Sequence, residues 1–331
     1  MKTSTKIILV ILAILICVGA YFTVTYFYKK SLEGEKISSE KLYTLSNFPK
    51  IDASLATQPL TNAIVRNFTG EYKLDDEALN GILNYSNTHP GYVKLINDEV
   101  DLIVVTEPSE EELALAKEKG VELEVIPVVK EGFVFYVNKD NKVQDLTVEQ
   151  IQKIYTGEIK NWKEVGGDNQ PITAYQRPVN SGSQTGMLSL VMKGLKLMDA
   201  PKENLVDTMF EIVNLVSNYK NGINAIGYSY YYYATTMFQT IDSEIASNVR
   251  MLGINGVKPT NQTIKDGSYP FQTAYYIVIN KADDENSPAR ILANQLLSAR
   301  GQKVAEDAGY VPVKWEARCK NVAEHSVLHK E

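Results

Sequence analysis

Cysteine and histidine are scarce in this 331-residue chain: Cys17 and Cys319 are the two of the first, His89, His325 and His329 the three of the second. Two cysteines build neither a disulfide framework nor a cysteine-lined metal centre. His325 and His329 are four apart, a spacing that puts both on one helix face, but the surrounding tail is polar and no metal site is assigned there. His89 precedes Pro90 and Gly91 and reads as a solvent-facing turn residue. Neither sign of charge dominates: 34 Lys+Arg against 40 Asp+Glu leave a formal charge of -6. That balance argues against a broad nucleic-acid surface, which needs clustered positive charge. It does not bar a small anion, because a few backbone N–H groups hold one inside an acidic protein. Proline and glycine sit near average usage, and there is no internal repeat, heptad or low-complexity tract. P-loop and dinucleotide fingerprints are also missing, and no motif requires a cofactor. Ser54 and Ser183 have no histidine near them in sequence to act as a base, so the chain is not read as an enzyme.

What is present begins with residues 7–28, a run without Asp, Glu, Lys or Arg. As a helix it would be about 33 Å long, enough to cross a hydrocarbon core of about 30 Å. Lys2 and Lys6 precede it and Lys29 and Lys30 follow, so the lysines do not fix orientation. The expectation is an uncleaved N-terminal transmembrane anchor over residues 1–30, with the rest on the extracytoplasmic side of the cell membrane. The competing reading is a signal peptide cut after Val18, Gly19 and Ala20. Lipidation of Cys17 is disfavoured by Ile16, where a small residue is wanted.

Residues 31–44 read as a polar linker, and the remainder as a mixed α/β body of buried strands alternating with helices. Residues 102–106 (LIVVT) form a strand candidate, followed by a helix over 109–119 with glutamates early and lysines late, as the helix dipole favours. Runs 121–129 and 132–137 supply two further strands. Thr147 and Gln150 have the spacing of a reciprocal helix cap. A helix is expected over 185–197, a strand over 275–280, and two helices over 287–298 and 300–308. The tyrosine run 228–233 reads as strand packing and hinge contact, with a cleft floor as the alternative.

Two polar strand-to-helix junctions carry the candidate chemistry. Ser54 and Thr57 follow a short strand and precede an apolar helical run, where unpaired N–H groups and hydroxyls suit an oxyanion; a plain helix cap explains them equally. Ser181, Gly182 and Ser183 make a second such junction, with Arg177 four residues upstream of Ser181. An arginine fork pairs with an oxyanion through two donors at once. Converging the two junctions would surround a small anion with donors from two halves of the chain.

Several stretches together carry a family likeness: IDASLATQPL (51–60), VDLIVVTEPSEEE (100–112), TGEIKNWKEVGG (156–167), QRPVNSGSQTGM (176–187), IGYSYY (226–231) and LLSARGQKVAEDAGYVPV (296–313). The chain resembles the periplasmic-type solute-binding proteins, in particular the phosphate-binding proteins of bacterial phosphate ABC transporters and their Gram-positive relatives. The resemblance implies an α/β, two-lobed type II periplasmic-binding-protein fold. Residues 45–140 and 268–331 would form the first lobe and 141–267 the second, with chain crossings near 138–145 and 255–270. It implies capture of inorganic phosphate or a similar small oxyanion for an ABC transporter permease, with Ser54, Leu55, Thr57, Thr106, Ser181, Gly182 and Ser183 as ligand contacts. Arg177, at the neighbouring strand end, would substitute for the cation that the family carries after the third loop residue; the alternative is a lobe-surface arginine in an internal salt bridge. The alternative is a degenerate binding module used in sensing, adhesion or envelope assembly. Three positions depart from the family pattern: Ala53 replaces a glycine, Leu55 a threonine, and Gln184 the arginine of an SGTR loop.

Overall fold

The structure, a computed structural model, describes residues 42–218 and 222–313. The expected anchor over 7–28, both cysteines, His325 and His329 lie outside the described residues. Among those described, no helix is long and apolar enough to cross a membrane.

Eleven strands are described: β1 (Ile51–Ala53), β2 (Leu83–Asn84), β3 (Leu102–Val105), β4 (Leu123–Asn138), β5 (Asp145–Leu146), β6 (Thr173–Ala174), β7 (Ala225–Tyr230), β8 (Val249–Met251), β9 (Gly253–Ile254), β10 (Gln272–Asn280) and β11 (Val311–Pro312). Nine of them join in the order β2-β1-β3-β10-β4-β7-β6, with β8 and β11 also paired to β4. β5 and β9 form a separate parallel pair.

One long strand organises the body into two lobes. From Leu123 to Gly132, β4 pairs antiparallel with β10; from Phe133 to Val137 it pairs antiparallel with β7. The first part belongs with β1, β2 and β3, whose parallel pairing requires crossover helices on the sheet faces. The runs 121–129 and 132–137 are therefore one strand rather than two, and the change of sheet falls at Gly132–Phe133, upstream of the expected 138–145 crossing. The chain returns at Phe271, whose carbonyl accepts from Phe133 N at 2.9 Å.

Local sequence explains where the helices begin. Ser109 and Glu112 form a reciprocal capping box at the head of Glu110–Lys119, and Thr147 and Gln150 form another at Val148–Thr156. Both helices end on a left-handed glycine, Gly120 and Gly157, a conformation that costs other residues a clash at Cβ. Pro288–Leu296 and Ala299–Asp307 are the two expected C-terminal helices, capped by Ser287 and Ser298. The expected helix at 185–197 starts earlier and winds differently: an α segment over Gly182–Gly186 passes into a π segment over Met187–Met192.

The core crosses the change of sheet without a break. Phe133 packs edge-on against Tyr230 at 5.5 Å, Tyr230 against Tyr275 at 5.5 Å, and Tyr275 against Tyr310 at 6.1 Å. The tyrosine run thus serves mainly as packing at the crossing. Tyr230 also reaches the second junction, where its hydroxyl donates to the Gly182 carbonyl at 2.7 Å.

Candidate functional site

A cavity of about 660 Å³ lies between elements of the two sheets. Ser54, Leu55, Thr106, Arg177, Ser181, Gly182 and Ser183 all line it, so the two junctions singled out in sequence do converge. Thr57 does not line it.

At the first junction, Ser54 leaves β1 and leads into the 3-10 turn Leu55–Thr57 and the helix Gln58–Thr69. Neither Ser54 nor Thr57 caps a helix with its side chain. Thr57 instead directs its hydroxyl at two carbonyls, Ser54 O at 2.9 Å and Val104 O at 2.8 Å, which tie the turn to β3. Its role is to hold the junction in place. Leu55 and Ala56 lie on the cavity at the leading positions of this turn, where N–H groups have no partner within the helix.

The second junction is built around Arg177. Its backbone N–H donates to the Tyr228 hydroxyl at 3.0 Å and to Gln184 Oε1 at 3.2 Å, while the Tyr228 hydroxyl in turn donates to Gln184. Gln184, the departure from the SGTR pattern, therefore anchors the arginine-bearing segment. Ser181 accepts from Gln184 N at 3.3 Å and caps Gly182–Gly186. Asn180, just before it, has φ 64°, a left-handed conformation that is uncommon outside glycine.

Three side chains on the cavity hold buried polar atoms without a hydrogen-bond partner: Thr106 Oγ1, Ser183 Oγ, and Arg177 Nε and Nη1. The Tyr230 hydroxyl approaches Thr106 but donates its proton to Gly182. Arg177 Nη2 alone is satisfied, donating to the Asp207 carbonyl at 2.7 Å. Burial holds the Arg177 guanidinium below its ordinary pKa, a direction opposed by nearby tyrosines and Asp207. Buried donors are normally paired, and leaving one unpaired costs about 1–3 kcal/mol. Four such atoms on residues that line one cavity, two of them on a cation, suit a ligand with several acceptor oxygens and negative charge.

Sequence reasoning missed two further helix starts on the cavity. Asn87, Thr88 and His89 line it at the head of the helix Thr88–Ile96, and Asn87 has φ 72° with ψ 179°, a strained combination of the kind that clusters at ligand sites. His89 is thus in the first turn of a helix rather than in a solvent-facing loop, and its Nδ1 lies 2.9 Å from the buried Glu112 carboxylate. Burial pushes the Glu112 pKa up, partly offset by hydrogen bonds from Ser109 and His89. The other start is Thr208, Met209 and Phe210, heading Met209–Ser217. Thr208 accepts from Glu211 N at 3.1 Å, and the T-x-x-E spacing is the signal that would have found it. Each helix start adds partial positive charge toward the cavity.

Neither Ser54 nor Ser183 bonds the His89 imidazole, so the site assembles no activated nucleophile from these groups. The two sides already touch. Asn180 bonds Glu111 and Ser189 bonds Glu107 across the cleft, and Gly182 sits against Thr88 and Thr106. A Cβ on Gly182 would lie 2.4 Å from Thr106 Oγ1 and 2.6 Å from Thr88 Oγ1. Gly182→Ala should therefore prevent this degree of closure. Anion binding, read by calorimetry, should weaken by about 1–3 kcal/mol, while the unfolding temperature of the ligand-free protein holds.

Two sheets sharing one strand, with helix starts from both converging on a cleft, define a two-lobed α/β binding protein. A PBP superfamily domain matches residues 62–298. The chain is 29% identical over 287 residues to the phosphate-binding protein PstS of Bacillus subtilis, covering 86% of this chain and 84% of that one. It is 30% identical over 254 residues to PstS of Staphylococcus saprophyticus, covering 75% and 76% respectively. An ABC-type phosphate transport receptor from Vibrio cholerae shares the fold, with a TM-score of 0.55 at 20% identity, covering 79% of this chain and 98% of that one. The chain belongs to the PBP superfamily and, within it, to the family of PstS phosphate-binding proteins.

Proposed function

We propose that this protein captures inorganic phosphate, or a similar small oxyanion, between its two lobes and delivers it to an ABC transporter permease. The observation that carries this reading is the convergence of Thr106, Ser183 and Arg177 on one cleft, each holding buried polar atoms without a hydrogen-bond partner. Backbone N–H groups at the starts of the surrounding helices complete a donor set matched to four acceptor oxygens. Ser54, Leu55, Ser181 and Gly182 belong to the two junctions that supply it. Thr57 supports the first junction from behind.

The lobes follow the sheets: the chain before Phe133 and after Phe271 forms the first, and the chain between them the second. The change of pairing inside β4 supports this division. A membrane anchor over residues 7–28 would keep the body at the extracytoplasmic surface, beside a permease; the length and apolarity of that run support it. N-terminal sequencing of the cellular protein checks the anchor, since a mature start at Tyr21 would mean cleavage.

Calorimetry on the purified full-length chain, titrated with phosphate and with sulfate, tests the capture reading. Ser183→Ala removes one buried donor and should weaken phosphate binding by about 1–3 kcal/mol without altering the circular dichroism spectrum. A folded parent that binds no oxyanion would refute capture and favour a degenerate module.

A further inference from the structure

The cavity is far larger than the ligand proposed for it. At about 660 Å³ it falls in the range of pockets that enclose organic molecules, whereas a tetrahedral oxyanion needs only about two or three times the ~30 Å³ of a water molecule. Splayed lobes do not account for the excess, because Asn180 already meets Glu111 and Ser189 meets Glu107 across the cleft. The surplus space has apolar walls. Arg177 bonds the Asp207 carbonyl, and from there the chain passes through Thr208 to Met209 and Phe210, both on the cavity. Phe210 packs on Phe238 at 5.6 Å, which fixes its ring, and Tyr233 and Ile241 continue the lining. Ile241 is 54% exposed and Leu55, also lining the cavity, is 46% exposed. Such side chains have apolar surface with nothing packed on it, and apolar surface inside a cleft with a few convergent polar groups marks a site for an organic group. Leu55 stands where the family resemblance expects a threonine, so one hydroxyl has been exchanged for apolar surface beside the anion donors.

We propose that the cleft accepts phosphate carrying an apolar organic substituent, a phosphomonoester of the aryl or alkyl class, with its phosphate on Thr106, Arg177 and Ser183 and its substituent along Phe210, Ile241 and Leu55. This inference rests on the phosphate-capture reading and extends it. A monoester keeps three acceptor oxygens and up to two negative charges, the features the buried donors require. The substituent is carried on the fourth oxygen and extends along the apolar side, where an ester oxygen needs no donor.

The test uses the full-length chain and three titrants in calorimetry: inorganic phosphate, methyl phosphate and phenyl phosphate. Phenyl phosphate should displace inorganic phosphate and bind about tenfold or more tighter than methyl phosphate, the yield of burying one ring face. Ile241→Ser should weaken phenyl phosphate about five- to tenfold and leave inorganic phosphate within about twofold, which also shows that the variant folds. If inorganic phosphate binds and phenyl phosphate does not compete, the inference is overturned while phosphate capture stands. Loss of all three ligands in the parent overturns both. Phenyl phosphate binding that Ile241→Ser does not change overturns the assignment of the wall.

Discussion

Replacing Arg177 with glutamine should stabilise the ligand-free protein and nearly abolish its phosphate binding. The guanidinium is buried, with one nitrogen on the Asp207 carbonyl and two nitrogens without partners, and no carboxylate lies within ion-pair distance of it among the described residues. Burial already pulls its pKa down, the signature of a charge held against desolvation. Removing a cation with no counterion relieves a penalty of a few kcal/mol, and the substituted amide still offers a donor for the Asp207 carbonyl. Ligand-free stability should therefore rise by about 1–3 kcal/mol in chemical denaturation. Binding should fall by about 2–5 kcal/mol, because a desolvated phosphate loses its charged partner. Arg177→Lys should fall between, keeping charge but losing the planar fork. Equal affinity in the parent and in Arg177→Gln would remove Arg177 from the site. A variant less stable without ligand would mean that the guanidinium is a structural tie.

That coupling of strain and recognition explains which parts of the site were readable from sequence. Caps were legible because they are local: Ser109 with Glu112 and Thr147 with Gln150 satisfy each other across three residues. Ser181, Gly182 and Ser183 were legible for the same reason, since a serine ahead of glycine starts a helix and lets another backbone come close. Thr57 misled because its type suits an anion, yet Val104 O, brought up by β3, takes its hydroxyl. Asn87, Thr88 and His89 were hidden by Pro90 and Gly91, which read as a turn although proline is tolerated in a first helical turn. Arg177 could be named but not placed, because its burial depends on Tyr228, which comes from β7, 51 residues away. The continuity of β4 failed to show for a related reason. Lys130 and Glu131 look like a charged break between two apolar runs, and only the folded structure supplies the N–H groups that let Glu131 lie inside.

Glu131 sets the second large effect, on stability against pH. Its carboxylate sits one residue before the change of sheet, fully enclosed, accepting from Gly132 N at 2.8 Å and from Tyr232 N at 3.2 Å. Tyr275, Tyr310, Tyr231 and Tyr232 crowd it, and no cation pairs with it among the described residues. Desolvation raises its pKa from 4.5 to about 8, against the pull of the backbone N–H groups. In the unfolded chain the same carboxyl ionises near its ordinary value. Between those two pH values the folded protein holds a proton that the unfolded chain has lost, so raising the pH favours unfolding. Stability should be fullest below about pH 4.5 as far as this group is concerned. It should fall by up to about 1.4 kcal/mol per pH unit through the window, and level off above about pH 8. Glu131→Gln keeps an acceptor for both N–H groups, offers its amide to the Tyr275 hydroxyl, and no longer titrates. Urea denaturation at about pH 5 and about pH 9 should show parent and variant close at the lower pH, and the variant ahead by several kcal/mol at the higher. Since Gly132 belongs to the crossing and Tyr232 to the segment after β7, ionising Glu131 loads the joint between the two sheets. Phosphate affinity in the parent should decline over the same pH range while that of the variant declines less. Parallel stability curves for the two proteins would show that Glu131 is ionised throughout and that its N–H donors outweigh its burial.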